Sequence, residues 1–301
     1  MTNSPQLTGE VAEALRLGDP VVALETTLVA HGFSNGQGLD AAMAAEKRVR
    51  SAGATPATIG VIDGAVRVGL DRAELERFAA AGASARKVGA RDLAACVVQR
   101  ALGATTVGGT LAVCRLAGIR FMATGGIGGV HRGFARSLDI SGDLPQIART
   151  PAVVVSSGAK SILDVDATAE LLETLGVPVL GWRTATLPMF YSREGGPAVS
   201  AVVSTVEEAA RVAAVHWQLS PSSGLLLARP PVSGLEIEPL IAEALERVRR
   251  QGVTGQEVTP AALALVHELS GGRSVEVNRQ LIADNAALAA DVAIAYAQHP
   301  S

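Results

Sequence analysis

Only three lysines, Lys47, Lys87 and Lys160, stand among the 26 basic residues of this chain. A chain that otherwise uses arginine for positive charge has kept an amine at few places, and an amine can lose its proton and attack a carbonyl where a guanidinium cannot. Lys160 stands in Val153-Val-Val-Ser-Ser-Gly-Ala-Lys-Ser-Ile162, directly after an apolar run and a turn of small residues. Desolvation at such a place favours the uncharged amine, which is competent as a Schiff-base nucleophile toward a sugar aldehyde. Lys47, in Ala-Glu-Lys-Arg, reads as a solvated helix face.

A carboxylate and a glycine-rich segment complete the set. Glu25 ends the run Val21-Val-Ala-Leu24 and is followed by Thr26, Thr27 and His31-Gly32. Ligands of open α/β sheets bind at the carboxyl ends of strands, so a Glu there is placed for acid or base work. Taken alone, it serves as readily as a helix cap or an arginine partner. The segment Ala123-Thr-Gly-Gly-Ile-Gly-Gly-Val-His-Arg-Gly133 offers backbone amides for close approach to an anion, with His131 and Arg132 as further donors. It lacks the Lys-Ser/Thr of a P-loop, and no acidic residue ends a second strand at the spacing a dinucleotide fold requires. Asp139 and Asp143 follow; they offer hard oxygen ligands to a divalent cation, though two carboxylates after a loop more often cap turns.

The elements that must position these residues are legible as alternation. Short Val/Ile/Ala runs alternate with Ala/Leu/Glu/Arg segments of helical period, which predicts an α/β fold with helices over both faces of a buried sheet. Strands are expected at Val21–Leu24, Thr58–Ile62, Ala65–Val68, Arg120–Ala123, Ala152–Ser156, Val177–Leu180 and Leu225–Ala228. Asp63-Gly64 predicts a two-residue hairpin turn. Asp71 with Glu74, and Thr205 with Glu208, predict capping boxes. Thr259-Pro260 opens a helix that Gly271-Gly272 closes, and Ser274 is expected to cap the last one. With no long linker or repeat, residues 1–301 are expected to form a single compact domain, Arg229-Pro-Pro-Val232 being the one weak boundary.

Composition excludes several classes. A net charge of -3 with no basic cluster argues against nucleic acid. An aromatic content of 3% argues against a base-stacking platform, so a base would be held by polar and aliphatic contacts. The N-terminus lacks a basic start and apolar run, and the longest uncharged stretch, Val212 to Ala228, is interrupted by Ser-Pro-Ser-Ser-Gly and is shorter than the roughly 20 residues of a membrane helix. Two cysteines, Cys96 and Cys114, form neither a disulfide framework nor a zinc spacing, so a reducing cytoplasm is the expected setting.

Together these segments resemble the pseudouridine-5'-phosphate glycosidase family over nearly the whole chain. The resemblance rests on Ala23-Leu-Glu-Thr-Thr27 with His31-Gly32, Thr58-Ile-Gly-Val-Ile62, Lys87-Val88 with Arg91-Asp-Leu93, Thr105-Thr-Val107, the glycine-rich segment, Asp139-Ile-Ser141, Ser157-Gly-Ala-Lys-Ser-Ile-Leu-Asp164 and Asn278. It implies a three-layer α/β/α sandwich with a mostly parallel central sheet, assembled as a homotrimer. It further implies Lys160 as the nucleophile on C1' of opened ribose, Glu25 as proton donor, Asp139 as ligand of one manganese ion per subunit, and Lys87, Val107, Ser141, Gly142, Asp143 and Asn278 as substrate contacts. Thr124 and His131 join these as motif neighbours. The implied substrate is pseudouridine 5'-phosphate, made from or cleaved to uracil and ribose 5-phosphate. Such chemistry suits an amine: a C-glycosidic bond has no heteroatom leaving group, and an iminium at C1' supplies an electron sink. Two other readings use the same residues, a Schiff-base aldolase or lyase on another sugar phosphate, and a non-catalytic sugar-phosphate sensor. The chain departs from the family pattern at Gly89-Ala90, at Gly108-Gly109 and in Gly181-Trp-Arg-Thr-Ala-Thr-Leu-Pro188, which lacks a lysine before Leu-Pro.

Overall fold

The computed structural model describes residues 4–33, 36–253 and 258–298. Its strands are β1 (Gln6–Leu7), β2 (Val21–Glu25), β3 (Thr55–Ile62), β4 (Ala65–Val68), β5 (Arg86–Val88), β6 (Gly103–Thr105) and β7 (Phe121–Ala123) in the first half. The second half adds β8 (Val130–His131), β9 (Val153–Ser156), β10 (Leu163–Asp164), β11 (Val179–Trp182), β12 (Ala201–Val203) and β13 (Leu225–Ala228). The main sheet runs in the order β1-β4-β3-β2-β7-β9-β13-β11-β12, with β6 against β3 and β5 against β6; β8 and β10 form a separate antiparallel pair. Every neighbour from β3 through β2 to β12 is parallel, and only β4 and β6 run antiparallel to β3.

Helices cover both faces. Gln37–Ala52, Val206–Leu219 and Arg273–Gln298 pack together on one, the last lying across β2, β7 and β9; Val107–Ala117, Asp143–Ala148 and Val165–Thr174 pack on the other. This is the three-layer α/β/α sandwich, and it explains why β2, β9 and β13 are buried along their whole length. A strand covered on both sides needs apolar residues at every position, not at alternate ones. Each such Val, Leu or Ile contributes about 1.5–3 kcal/mol on burial. Among the described residues, no helix is long and apolar enough to cross a membrane.

All seven expected strands are present, with small shifts at their ends. β3 starts three residues before the expected Thr58, and the strand expected at Val177–Leu180 is observed two residues later because the Val177 amide closes the preceding helix on Leu172 O and Pro178 has no N–H to give. Asp63 and Gly64 both have positive φ, 53° and 87°, and join β3 to β4 in the expected two-residue turn. The Asp71/Glu74 capping box forms in full. At Thr205 only half of the expected box forms: Thr205 Oγ1 accepts from Glu208 N, while the Glu208 carboxylate accepts from Ser204 N. Ser274 does not cap the last helix but lies inside its first turn, where its amide donates to Ser270 Oγ. Gly271 and Gly272 do close the preceding helix, Val258–Leu269, with φ of 61° and 84°.

One feature of the register determines where the site falls. β2 pairs with β3 as far as Glu25↔Ile59, and β4 holds the opposite edge of β3. Beyond Glu25 the vacated edge is taken by β6, through Gly60↔Ala104 and Val61↔Gly103, and β6 carries β5 beside it. A residue on β5 is thereby brought to the end of β2. Neither β5 nor β6 was expected from sequence; each has three residues, and Arg86-Lys-Val88 and Gly103-Ala-Thr105 carry no periodicity to read.

Candidate active site

Three neighbouring strands end side by side, β2 at Glu25, β7 at Ala123 and β9 at Ser156, and the loops beyond them form a pocket enclosing about 530 Å³ of empty space, part of it open to solvent. Glu25, Lys87, Thr124, Lys160 and Asn278 all line it. Five of the residues expected from sequence thus meet in one cavity, at the sheet end where α/β ligands bind.

Glu25 is 3% exposed. Its Oε1 accepts from Thr124 Oγ1 at 2.5 Å, while its Oε2 has no hydrogen-bond partner among the described residues. Burial pushes its proton affinity well up; Lys160, the Thr124 hydrogen bond and Lys87 oppose that, and Asp143 reinforces it. A carboxyl so placed keeps its proton where an ordinary glutamate would lose it, and one oxygen is available to hand the proton on. The following residues form a knot behind it: Thr26 Oγ1 and Thr105 Oγ1 both donate to Ile59 O, and Thr105 N donates to Thr26 Oγ1. These bonds lock the point where β2 gives way to β6. They account for threonines at Thr26 and Thr105.

Lys160 is held by backbone. The parallel pairing of β7 with β9 continues past both strand ends through Thr124 N to Val155 O, Ser157 N to Gly125 O, Ile127 N to Gly158 O and Lys160 N to Ile127 O. The lysine is therefore laced to the glycine-rich loop and is half-buried. That loop was expected as an anion cradle. Its amides at Ile127, Gly128 and Val130 instead go to Gly158 O, Asp143 Oδ2 and Thr168 Oγ1. Its glycines answer to packing: a Cβ on Gly128 would lie 2.2 Å from Ser141 Oγ, and one on Gly129 2.3 Å from Thr168 Oγ1.

The remaining expected residues adjoin the pocket rather than line it. Asp143 is buried and binds Gly108 N at 2.7 Å through Oδ1 and Gly128 N at 2.9 Å through Oδ2. Its carboxylate ties the start of helix Val107–Ala117, where Val107 is the first residue, to the glycine-rich loop. Ser141 Oγ accepts from Asp143 N, and Gly142 precedes helix Asp143–Ala148 with open space beside its Cα. The departure at Gly109 has a direct cause, since a Cβ there would come within 2.2 Å of Val88 O. His131 Nδ1 lies 3.8 Å from Asp139 Oδ2. Burial pulls the His131 proton affinity down, Asp139 opposes this, and Lys87 and Lys160 add to it.

Among the described residues no three His, Cys, Asp or Glu side chains are arranged to hold a metal. The donors present are the half-exposed Asp139 carboxylate and the nearby imidazole, Asp143 being occupied by amides. That set fits a hard divalent cation that keeps most of its water, and does not fit a dehydrated all-protein cage.

Several lining residues had been given no role from sequence, although Thr27 and His31 stand in the motif that follows Glu25. His31 Nε2 donates to Ala85 O and its Nδ1 lies 3.0 Å from Thr27 Oγ1, so both residues face the pocket in a fixed orientation. Thr259, Pro260 and Leu263 come from helix Val258–Leu269, whose start lies next to residues outside the described set. Asn285, two turns beyond Asn278 on the same helix, donates to Thr124 O at 2.9 Å and Ser157 Oγ at 3.1 Å and fastens that helix to the loops that follow β7 and β9. Phe33 and Phe190, two of only five phenylalanines, also line the pocket. The low aromatic content had pointed to polar and aliphatic contacts alone; a total over the chain says nothing of where the few rings are concentrated.

The profile of the indigoidine synthase A like protein family matches residues 10–295. A protein of Salinispora tropica named pseudouridine-5'-phosphate glycosidase is 49% identical over 294 residues, 96% of this chain and 90% of its own length. The chain belongs to the pseudouridine-5'-phosphate glycosidase family. The glycosidase of that name from Escherichia coli is 43% identical, with 97% of this chain and 95% of its own covered. Among solved structures, the prealnumycin C-glycosynthase AlnA in complex with ribulose 5-phosphate superposes with a TM-score of 0.89 at 40% identity, covering 98% of this chain and 97% of its own. An indigoidine synthase A-like protein from Thermotoga maritima gives a TM-score of 0.87 at 34% identity over 98% and 97% of the two chains. Both solved structures thus share the fold found here.

Proposed function

We propose that this enzyme forms and cleaves the C-glycosidic bond of pseudouridine 5'-phosphate, with Lys160 as nucleophile and Glu25 as proton donor. The observation that carries the reading is a buried carboxyl with raised proton affinity and one unpartnered oxygen, sharing a narrow pocket with a lysine fixed on the adjoining loop. The relatives' shared name and the sugar phosphate bound to the AlnA relative support the same substrate class.

In the direction of synthesis, the free amine of Lys160 adds to the C1' aldehyde of open-chain ribose 5-phosphate. Glu25 gives its proton to the departing oxygen, water leaves, and a protonated imine remains. The C5 electron pair of uracil then attacks C1', and the C5 proton returns to the Glu25 carboxylate. Closure of the 4'-hydroxyl oxygen onto C1' displaces the amine and passes its proton to Lys160. One water is released for each bond made, and both side chains end as they began. Lys87, the cation facing Glu25 across β6, is suited to the phosphate. Asn278 can hydrogen-bond the base. Asp139 would hold a manganese ion, with water and substrate oxygens as its other ligands. When bound, that ion supplies positive charge that orients substrate oxygens.

Purified protein supplied with manganese, uracil and ribose 5-phosphate should yield pseudouridine 5'-phosphate. Borohydride added with ribose 5-phosphate alone should fix a mass increment on the Lys160 peptide. Folded protein giving neither would overturn the reading, and an adduct only with other sugar phosphates would replace it with an aldolase or lyase. The homotrimer belongs to the same proposal: edge strand β12 and helix Val206–Leu219 expose Val202, Val215 and Leu219, an apolar face suited to subunit contact. Sedimentation at the mass of a monomer would count against it.

A further inference from the structure

Phe190 has φ of 61°, a left-handed conformation that is a genuine outlier for a bulky side chain, and it is 2% exposed while lining the pocket. A conformation of that cost persists only where its surroundings over-determine it. Here they do. Phe190 N donates to Ser157 O at 2.9 Å, and Ser161 Oγ donates to the preceding carbonyl, Met189 O, at 2.6 Å. Met189 also bridges to Gly158, where a Cβ would lie 1.8 Å from Pro188 O. Two hydrogen bonds, one to Ser157 and one from Ser161, thus pin the turn to both sides of Lys160. The ring points the other way: a Cβ on Gly126 would stand 2.5 Å from Phe190 Cδ2. Behind it, the Tyr191 ring meets Phe190 edge-on, with centroids 4.7 Å apart, and the Tyr191 hydroxyl is directed at Ser274 on the helix that carries Asn278, though without a hydrogen bond of ordinary geometry.

We infer that Phe190 is a positioning residue for the reaction: its backbone clamps the loop of Lys160 and its ring props the Gly125–Gly126 turn beside Thr124, so that the amine and the Glu25–Thr124 pair are held at a fixed separation. The two loops meet through backbone bonds alone on their shared edge. Phe190 is the wedge that bears on both from the pocket side; Gly126 makes room for its ring, and Gly158 for the Pro188 carbonyl two residues before it. The role rests on the activity proposed above.

The test is a double-mutant cycle read by kcat, by KM for ribose 5-phosphate and by the rate of borohydride-trapped adduct. Gly126→Ala forces the ring and turn apart and should lower kcat about 100-fold, the scale of an ångström of misplacement. Phe190→Ala should lower kcat and the trapping rate about 10-fold, with KM within about twofold. In the double variant the clash is gone, so its loss should match that of Phe190→Ala alone. Phe190→Leu, which keeps most of the apolar volume, provides the same comparison if the alanine variant unfolds. Multiplicative losses in the double variant would overturn the inference. So would a KM that rises with kcat intact, since the ring would then be a binding wall. Absence of adduct in the unaltered protein would instead refute the proposed activity.

Discussion

Two carboxyls shielded from water, Glu25 buried and Glu46 half-buried, look alike locally and differ in what surrounds them. Glu25, at the end of β2, accepts from Thr124 Oγ1 at 2.5 Å; Glu46, on helix Gln37–Ala52, accepts from Thr58 Oγ1 on β3 at 2.5 Å. Burial is the leading cause that raises the proton affinity of both. Around Glu46 the charged neighbours are Arg50 and Glu10, themselves an ion pair, and it does not line the pocket that Glu25 lines. Around Glu25 stand Lys160 and Lys87 in a cavity, and Oε2 is unpartnered. Burial alone makes a carboxyl hold its proton. Only an opening toward an amine and a ligand gives that proton somewhere to go.

That contrast can be broken at several points. Lys160→Arg leaves a cation in the pocket that cannot become a nucleophile, and turnover should fall about 10⁴-fold or more, as on removal of an active-site nucleophile. Appreciable turnover by that variant, measured as uracil release from pseudouridine 5'-phosphate, would be incompatible with an imine. Glu25→Gln keeps the shape and the Thr124 contact but has no proton to give, so kcat should fall about 10²–10⁴-fold. The unaltered enzyme should lose kcat on the alkaline side as Glu25 ionises, and Glu46→Gln should leave that limb in place.

Stability should respond to both sites with one sign. A carboxyl whose proton affinity is raised by folding favours the folded state fully below its unfolded pKa, and that contribution is lost as pH rises through the folded value. Glu25→Gln and Glu46→Gln should each therefore raise Tm at pH 8, by about 2–4 °C per kcal/mol recovered, and change it little at pH 4. The smallest expected effect is on catalysis by Glu46→Gln, within about twofold of the unaltered rate. Thermal unfolding at the two pH values, set beside turnover, separates a carboxyl that is merely buried from one that works. Equal losses of activity at both sites would erase the distinction.

Much of the site was legible because its residues are of unusual type or place. A rare lysine after a buried strand, a glutamate closing an apolar run and a dense glycine segment each depart from what a core requires, and the structure brings Lys160, Glu25 and Thr124 into one pocket. What stayed hidden was of ordinary type. Phe33, Phe190 and Leu263 read as core residues, and Asn285 as one more polar residue in a long helix. The glycines at Gly126, Gly128 and Gly129 pointed toward an anion, but each is set by a side chain distant in sequence, Phe190, Ser141 or Thr168.

By itself the sequence determined the alternation of strand and helix, the tight turn at Asp63-Gly64 and the two groups able to exchange a proton and form an imine, because periodicity, turn chemistry and side-chain reactivity are local properties. The tertiary structure alone decided that β6 takes over the edge of β3 where β2 ends, that Lys87 thereby arrives beside Glu25, and that Glu25 keeps an unpartnered oxygen. Those are matters of which backbone edge is left unpaired and which atoms are shut away from water, and both are settled by contacts between segments far apart in the chain.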